Sequence, residues 1–317
     1  MISFNTYIGL NDKILLRSYK NRYVIFDVRN DIAYEVKKEM FRFLCLLDGT
    51  ITIKDLITLA NSEEEKIISL LKELINRNLI KLSNHKFNIS RIQKVKHINA
   101  PFIRSVCWLI TGKCYLKCKH CYMRTSYFYN YEPLLKEALH IVRQLIRANV
   151  LSVVITGGEP FTYKHLIKIL KELIEYDIRI KGINTNASLI TDDKIVILKS
   201  LTKNYFEPIN INISLDGLKF HDKFRGMQSL HKKVLTVIKK LVDHGFKVNI
   251  NTCVTKNNIH ELLELYEILK KLKIYSWRLD KPRDIGMWIF YKKSLETPLN
   301  QLLYFYHTIL ELSLIHI

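Results

Sequence analysis

Cys114, Cys118 and Cys121 fall within eight residues, in the run Thr111-Gly112-Lys113-Cys114-Tyr115-Leu116-Lys117-Cys118-Lys119-His120-Cys121-Tyr122. Three thiols this close, in a chain with too few cysteines for a disulfide scaffold, are a metal-binding signature. Zinc is one reading, but a structural zinc takes four closed ligands, and His120 sits awkwardly beside Cys121 for joint tetrahedral use. A four-iron cluster normally takes four cysteines, so three would leave one iron open to a substrate or cofactor. The C-x3-C-x2-C spacing favours the cluster over zinc. Cys45, Cys107 and Cys253 are isolated in apolar surroundings and are expected to be small buried hydrophobes.

A second constellation is Val153-Val154-Ile155-Thr156-Gly157-Gly158-Glu159-Pro160. Paired glycines at a strand end permit positive φ and let a ligand approach the backbone closely. Glu159 then offers a carboxylate to an ammonium group, and Pro160 opens the helical region that follows. An ordinary tight turn would look the same in isolation.

These residues need elements to position them. From Ser105 onward, strand and helix patterns alternate. Strands are predicted over Val106–Thr111, Ser152–Thr156, Arg179–Thr185, Ile209–Asp216, Val248–Thr255 and Tyr275–Leu279. Amphipathic helices are predicted near Glu132–Ala148, with Pro133 in the first turn, and near Tyr163–Tyr176, Asp192–Lys203, Leu230–His244 and Ile259–Leu272. Repeated βα units imply a parallel sheet whose active site lies at the carboxyl ends of the strands, where the cysteine loop falls. In Ile209–Asp216 the set Ile209, Ile211, Ile213, Leu215 alternates with Asn210, Asn212, Ser214, Asp216. A strand covered by helices on both faces reads apolar throughout. A wholly polar second face, repeated by Asn249, Asn251 and Thr255, suits the lumen of an open barrel better than a doubly wound sheet. An edge strand is the plainer alternative.

Residues 1–90 read as a small α+β unit of winged-helix-like pattern. Strands are expected over Lys13–Arg17 and Arg22–Val28, joined near Lys20-Asn21. A helix is expected over Tyr34–Leu47, ending at Asp48-Gly49, with a further helix start at Thr52–Asp55. Another helix opens at Ser62, with Glu65 at capping-box spacing, and a strand follows over Leu79–Leu82. Residues 91–104 read as a linker and 287–317 as a helical tail, with a helix near Leu299–Leu312.

Fifty Lys+Arg against 30 Asp+Glu give a net charge of +20 in 317 residues. The excess is spread over both halves of the chain as single residues or pairs, with no block of five. That pattern suits a solvated lysine-rich surface better than a nucleic-acid groove. No apolar run reaches the ~18–20 residues of a membrane span, and the amino terminus lacks the pattern of a signal peptide. A cytoplasmic, reducing location is therefore expected.

The cysteine triplet, the Gly-Gly-Glu-Pro turn and six βα units together resemble the radical S-adenosylmethionine (SAM) superfamily over about residues 105–286. Cys118-Lys119-His120-Cys121-Tyr122, Asn184-Thr185-Asn186-Ala187, Ile213-Ser214-Leu215-Asp216-Gly217 and Asn251–Asn258 narrow the resemblance to its peptide-modifying, SPASM-related branch. The resemblance implies an α/β fold, an incomplete (βα)6 TIM-like barrel, preceded by the small α+β unit. It implies that Cys114, Cys118 and Cys121 bind a 4Fe–4S cluster whose fourth iron chelates SAM. The Gly157-Gly158-Glu159-Pro160 turn would hold the methionyl amine, and His120 would lie near the adenine. Ser214 and Arg225 match positions that contact the SAM carboxylate or ribose, and Asn186 and Asp216 are further candidates. Ala187 replaces the glycine often found after Thr-Asn in the family. The implied chemistry is one-electron cleavage of SAM to methionine and a 5′-deoxyadenosyl radical, which abstracts hydrogen from an unactivated carbon; a reducing electron donor is then a required partner.

The N-terminal unit resembles the peptide-recognition domains of such enzymes (pyrroloquinoline-quinone chaperone-like), which add a leader segment as a strand to a sheet edge. The leading expectation is therefore modification of a ribosomally made peptide. A tetrapyrrole or a protein side chain, as in sulfatase maturation, is the alternative substrate. A metal-stabilised nucleic-acid-binding regulator is the rival class. It is disfavoured because the helix after Ser62 carries Glu63, Glu64, Glu65 and Glu73 rather than a basic cluster. The SPASM branch normally adds cysteines in a C-terminal domain, yet no cysteine follows Cys253. Either one cluster suffices or the chain is a truncated product.

Overall fold

The computed structural model describes residues 3–20, 22–60, 63–87, 96–98, 101–203 and 208–312. In chain order the N-terminal unit comprises β1 (Tyr7–Leu10), β2 (Ile14–Tyr19), β3 (Arg22–Asp27), β4 (Ile32–Val36), α1 (Lys38–Cys45), β5 (Asp48–Thr52), α2 (Ile53–Ala60), α3 (Glu64–Asn76), β6 (Ile80–Ser83) and β7 (Lys96–Ile98). They build a three-stranded sheet, β5-β1-β6, and a four-stranded one, β4-β3-β2-β7. Ile8, Leu16, Leu44, Ile53, Leu56 and Leu71 are fully buried between the sheets and helices.

Several N-terminal expectations are revised. Tyr34 is a strand residue, because the Asp27 carboxylate caps Arg29 N and Asn30 N and turns the chain into the β3–β4 hairpin. Asp48-Gly49 does not simply end a helix; it enters β5, which pairs antiparallel with β1. That long-range pairing leaves no local periodicity to read. Lys96–Ile98, inside the segment expected to be a linker, pairs parallel with β2. The capping residue Ser62 and the turn residue Asn21 lie outside the described residues; Glu63 occupies the N-cap of α3 without a side-chain cap bond.

The second unit follows the expected alternation: β8 (Ser105–Thr111), α4 (Leu135–Arg147), β9 (Ser152–Gly157), α5 (Leu166–Glu175), β10 (Arg179–Thr185), α6 (Asp192–Leu201), β11 (Asn210–Ser214), α7 (Lys219–Arg225), α8 (Leu230–Asp243), β12 (Lys247–Cys253), α9 (Leu262–Lys271), β13 (Ser276–Asp280), α10 (Trp288–Leu295) and α11 (Leu299–Leu312). The six strands pair in parallel in sequence order, β8 to β13. Among the described residues β13 does not pair with β8, so the barrel is incomplete. Pro133 stands before α4 rather than within it. The Glu137 carboxylate accepts from Leu134 N at 2.7 Å and sets the helix start there.

The alternation in β11 and β12 has the expected outcome. Ile211, Ile213, Val248 and Ile250 are fully buried under the helices. On the other face Asn212 donates to Asn184 (2.7 Å), Asn249 to Asn212 (2.9 Å) and Ser276 to Asn249 (2.6 Å). Three side-chain amides and a hydroxyl thus form a ladder across four strands, lining the lumen with satisfied polar groups instead of apolar ones. Cys107, expected to be buried, is exposed, because β8 is the edge of the sheet and is covered on one face only.

The N-terminal unit docks at the opposite end, on the strand starts. Tyr19 Oη donates to Asn149 O (2.8 Å), and Leu151 joins Leu15, Val24, Phe26 and Val28 in one apolar cluster. Asp177 is held by Lys13, and the Arg179 guanidinium donates to Val28 O and Arg29 O.

Candidate functional site

The site lies where β8, β9, β10 and β11 end. The cysteine loop leaves β8 and is knitted to α7: Lys117 N donates to Arg225 O (3.1 Å) and Lys119 N to Phe224 O (3.0 Å). Helix α7 is itself fixed by Glu261, whose carboxylate accepts from Leu218 N (2.6 Å) and Phe220 N (3.2 Å). The loop therefore has a scaffold on a distant element, which is the condition for three thiols to converge.

A cleft of about 190 Å³ opens between these elements. Of the candidate residues, Cys114, Cys118, His120, Cys121, Gly157, Gly158, Asn186, Ser214 and Arg225 line it. Glu159, Pro160 and Asp216 stand behind its wall. Leu116, Tyr122, Met123, Thr156, Asn184 and Thr185 complete the lining. Asn184, Thr185, Thr156 and Tyr122 are legible only as members of the motifs around Asn186, Gly157 and Cys121; Leu116 and Met123 carry no signal of their own.

The turn at the end of β9 demands glycine. At Gly157 φ is +136°, and a Cβ would lie 2.2 Å from Thr111 O. At Gly158 a Cβ would lie 2.3 Å from Lys113 O. The close approach is to the cysteine loop itself, so the glycines seat that loop against β9. Gly158 N donates to Thr111 O (2.7 Å) and Glu159 N to Lys113 O (2.8 Å).

Glu159 is fully buried, and both carboxylate oxygens are engaged. Oε1 accepts from Phe161 N (3.1 Å) and Thr185 Oγ1 (2.8 Å), and Oε2 from Asn186 N (2.7 Å). The side chain ties the ends of β9 and β10 together and does not line the cleft. Burial raises its pKa above the usual carboxylate range, against those three donors.

On the opposite wall Asp216 and Arg225 form a buried ion pair, Nε to Oδ2 at 2.6 Å. Asp216 Oδ1 also accepts from Cys253 N (2.9 Å), and its own N–H donates to His221 Nδ1 (2.9 Å). Burial would raise the Asp216 pKa, but the Arg225 guanidinium holds it well below the usual range. Burial depresses His221 below the ordinary histidine value. Sequence reading missed His221; it sits five residues after Asp216 on a short helix without periodicity. His120 stacks on Phe224, with centroids 4.5 Å apart and planes at 9°. Burial, reinforced by Arg225, depresses its pKa to about 4, and its Nδ1 is buried without a hydrogen-bond partner.

The donor set fits a metal cluster. Burial pushes the Cys118 thiol up to about 12 and raises Cys114. Such thiols stay protonated until a cation compensates the thiolate charge, as iron does. Among the described residues no three His, Cys, Asp or Glu side chains converge on a single-ion position. Cys114, Cys118 and Cys121 all line the same cleft, and three thiols around one space suit a group offering several iron atoms.

A partial parallel barrel with a three-cysteine loop at its carboxyl end defines a class of enzyme. Residues 108–269, just over half the chain, match the family model of the Radical SAM superfamily, and the chain belongs to that superfamily. It is a radical SAM enzyme, and its cofactors are a 4Fe–4S cluster and SAM. The AdoMet-dependent heme synthase of Methanosarcina barkeri is 29% identical over 55% of this chain and 48% of its own length. The antilisterial bacteriocin subtilosin biosynthesis protein AlbA of Bacillus subtilis is 26% identical over 68% of this chain and 48% of its own. The chain thus spans about half the length of the curated relatives it matches. The crystal structure of Streptococcus suis SuiB bound to precursor peptide SuiA has the same fold, with TM-score 0.68 at 20% identity, covering 96% of this chain and 70% of that one. No helix among the described residues is long and apolar enough to cross a membrane.

Proposed function

We propose that this enzyme modifies a ribosomally made peptide presented by the N-terminal unit. The observation that carries the proposal is an open sheet edge on that unit. β4 is the outer strand of its sheet and, among the described residues, pairs only with β3. An exposed strand edge presents a row of free N–H and C=O groups to an extended segment. Arg77, paired with Glu73 at 2.9 Å, lies over the Tyr34 ring of this strand at 5.9 Å. The likeness of fold to SuiB, a structure with a precursor peptide, and the similarity to AlbA support the same reading.

In this reading Cys114, Cys118 and Cys121 would hold three irons. The Gly157-Gly158 turn offers backbone groups to the methionyl amine, and Ser214 and Asn186 offer side-chain polar groups to the rest of SAM. His120 presents its unpaired Nδ1 beside them. When bound, the cluster and SAM supply one-electron reductive cleavage to a 5′-deoxyadenosyl radical. The protein's own task is to seat SAM, exclude water and deliver the substrate carbon.

The test is a short peptide encoded beside this gene, added to the anaerobic protein. Expected are slowed amide exchange over Ile32–Val36 and, with SAM and dithionite, a changed peptide mass. Unchanged exchange and unchanged peptide, with 5′-deoxyadenosine still formed, would overturn the peptide reading and leave the radical chemistry standing. Similarity to the heme synthase makes a tetrapyrrole the second reading. Saturable quenching by iron coproporphyrin in place of peptide binding would favour it.

A further inference from the structure

We infer that Arg225 is a positioning residue that sets the reduction potential of the cluster through Cys118, with Asp216 aiming it. Arg225 Nη1 lies 3.9 Å from Cys118 Sγ, within hydrogen-bond range for sulfur. Its Nε is held by Asp216 at 2.6 Å, so the planar guanidinium is fixed at both ends. Asp216 cannot yield: Cys253 N (2.9 Å) grips its carboxylate, and Asn258 Nδ2 (2.6 Å) its carbonyl oxygen. The backbone of Arg225 accepts from Lys117 N, inside the cysteine loop. Cation and thiol therefore move as one body. Cys118 is also the most enclosed of the three cysteines, at 7% exposure, so its contact with Arg225 is poorly screened.

Reduction adds one electron to the cluster and its thiolates. A hydrogen-bonding cation at a ligand sulfur stabilises that added charge and raises the potential. Asp216 opposes the effect electrostatically while orienting the donor. The pair is thus a dipole with its positive end toward Cys118. This role differs from direct contact with SAM, and it operates with SAM absent.

The experiment is a dithionite-driven redox titration of the reconstituted, SAM-free protein, following the electron paramagnetic resonance signal of the reduced cluster. Arg225→Gln is expected to lower the reduced-to-oxidised ratio at fixed potential about tenfold, equal to about 59 mV for one electron. Asp216→Asn, which has the same shape and keeps one of the two acceptor oxygens while removing the opposing charge, is expected to move the ratio the other way. Opposite shifts support the proposal, because a merely structural loosening moves both variants alike. Wild-type potentials in both, or shifts of the same sign, overturn it. So does Arg225→Gln losing SAM affinity with its SAM-free potential unchanged. If Arg225→Gln takes up no cluster, Arg225→Lys with Asp216→Asn carries the test. A Lys variant below wild type beside an Asn variant above it supports the proposal; any other pattern overturns it.

Discussion

Two clusters of buried charge lie at opposite ends of the same six strands. At the carboxyl ends the buried Asp216–Arg225 pair borders a cleft of about 190 Å³, with Arg225 in its wall and Asp216 behind it. At the amino ends Asp177, Arg17 and Arg179 are equally buried, beside a gap of about 10 Å³. Composition does not tell them apart; the space they border does. The amino-end charges are taken up by Lys13 and by backbone carbonyls of Val28 and Arg29 across the contact with the N-terminal unit. The carboxyl-end charges face thiols and open volume. Buried charge becomes chemistry only where the packing leaves room for a ligand.

The sharpest break between the two ends is loss of the metal. Cys118→Ala should take bound iron and sulfide from about four each per chain to near zero, with no 5′-deoxyadenosine formed. Iron and sulfide assays after anaerobic reconstitution check this. Four irons retained by the variant would remove the site from the cysteine loop.

At the other end, Asp177→Ala should destabilise the protein by about 1.5–3 kcal/mol, because it removes the carboxylate that half-buried Lys13 bonds and that faces buried Arg17. The cluster's absorption should survive. Urea unfolding measures the first and the visible spectrum the second; lost absorption in a folded variant would join the two ends functionally.

Acid should act on the site end. Burial leaves His221 neutral in the native state, whereas the unfolded ring binds a proton near pH 6.5. Below that value the unfolded state holds the extra proton, so stability falls as pH drops, by at most about 1.4 kcal/mol per unit. His120 adds to the same slope. In His221→Asn the slope between pH 6.5 and 5 should be visibly flatter in denaturation curves. An unchanged slope would place the acid sensitivity elsewhere.

The smallest effect belongs to the middle of the strands. Asn212→Ala removes the ladder's central amide and should cost about 1 kcal/mol, with iron content unchanged.

How much of this was legible depends on the range of the interaction. The six βα units follow from local periodicity, and all six strands fall within a few residues of their expected bounds. The cysteine triplet and glycine pair sit on contiguous sequence, so spacing alone brought them forward. The inward turn of Glu159 was not legible, because its partners Thr185 and Asn186 belong to the next strand. His221 and Glu261 were invisible for the same reason: one serves Asp216 and the other the start of α7, neither through a repeating pattern. In the N-terminal unit β1 and β5 were missed, since they are defined by antiparallel pairing far along the chain, and β4 was missed because it depends on the turn that Asp27 caps into the β3–β4 hairpin. Exposure of Cys107 likewise depends on β8 being an edge, a property of the whole sheet.

By itself, then, the sequence brought forward the three clustered cysteines, the glycines at the β9 turn and the polar face of β11, because each is written in adjacent or alternating residues. Tertiary structure decided which carboxylate faces the cleft wall, which cation meets Cys118 and which end of the sheet stays open. Those outcomes depend on where α7, Glu261 and the N-terminal unit come to rest. Hydrogen bonds and ion pairs between distant residues act over a few ångströms in space and leave no period in the chain.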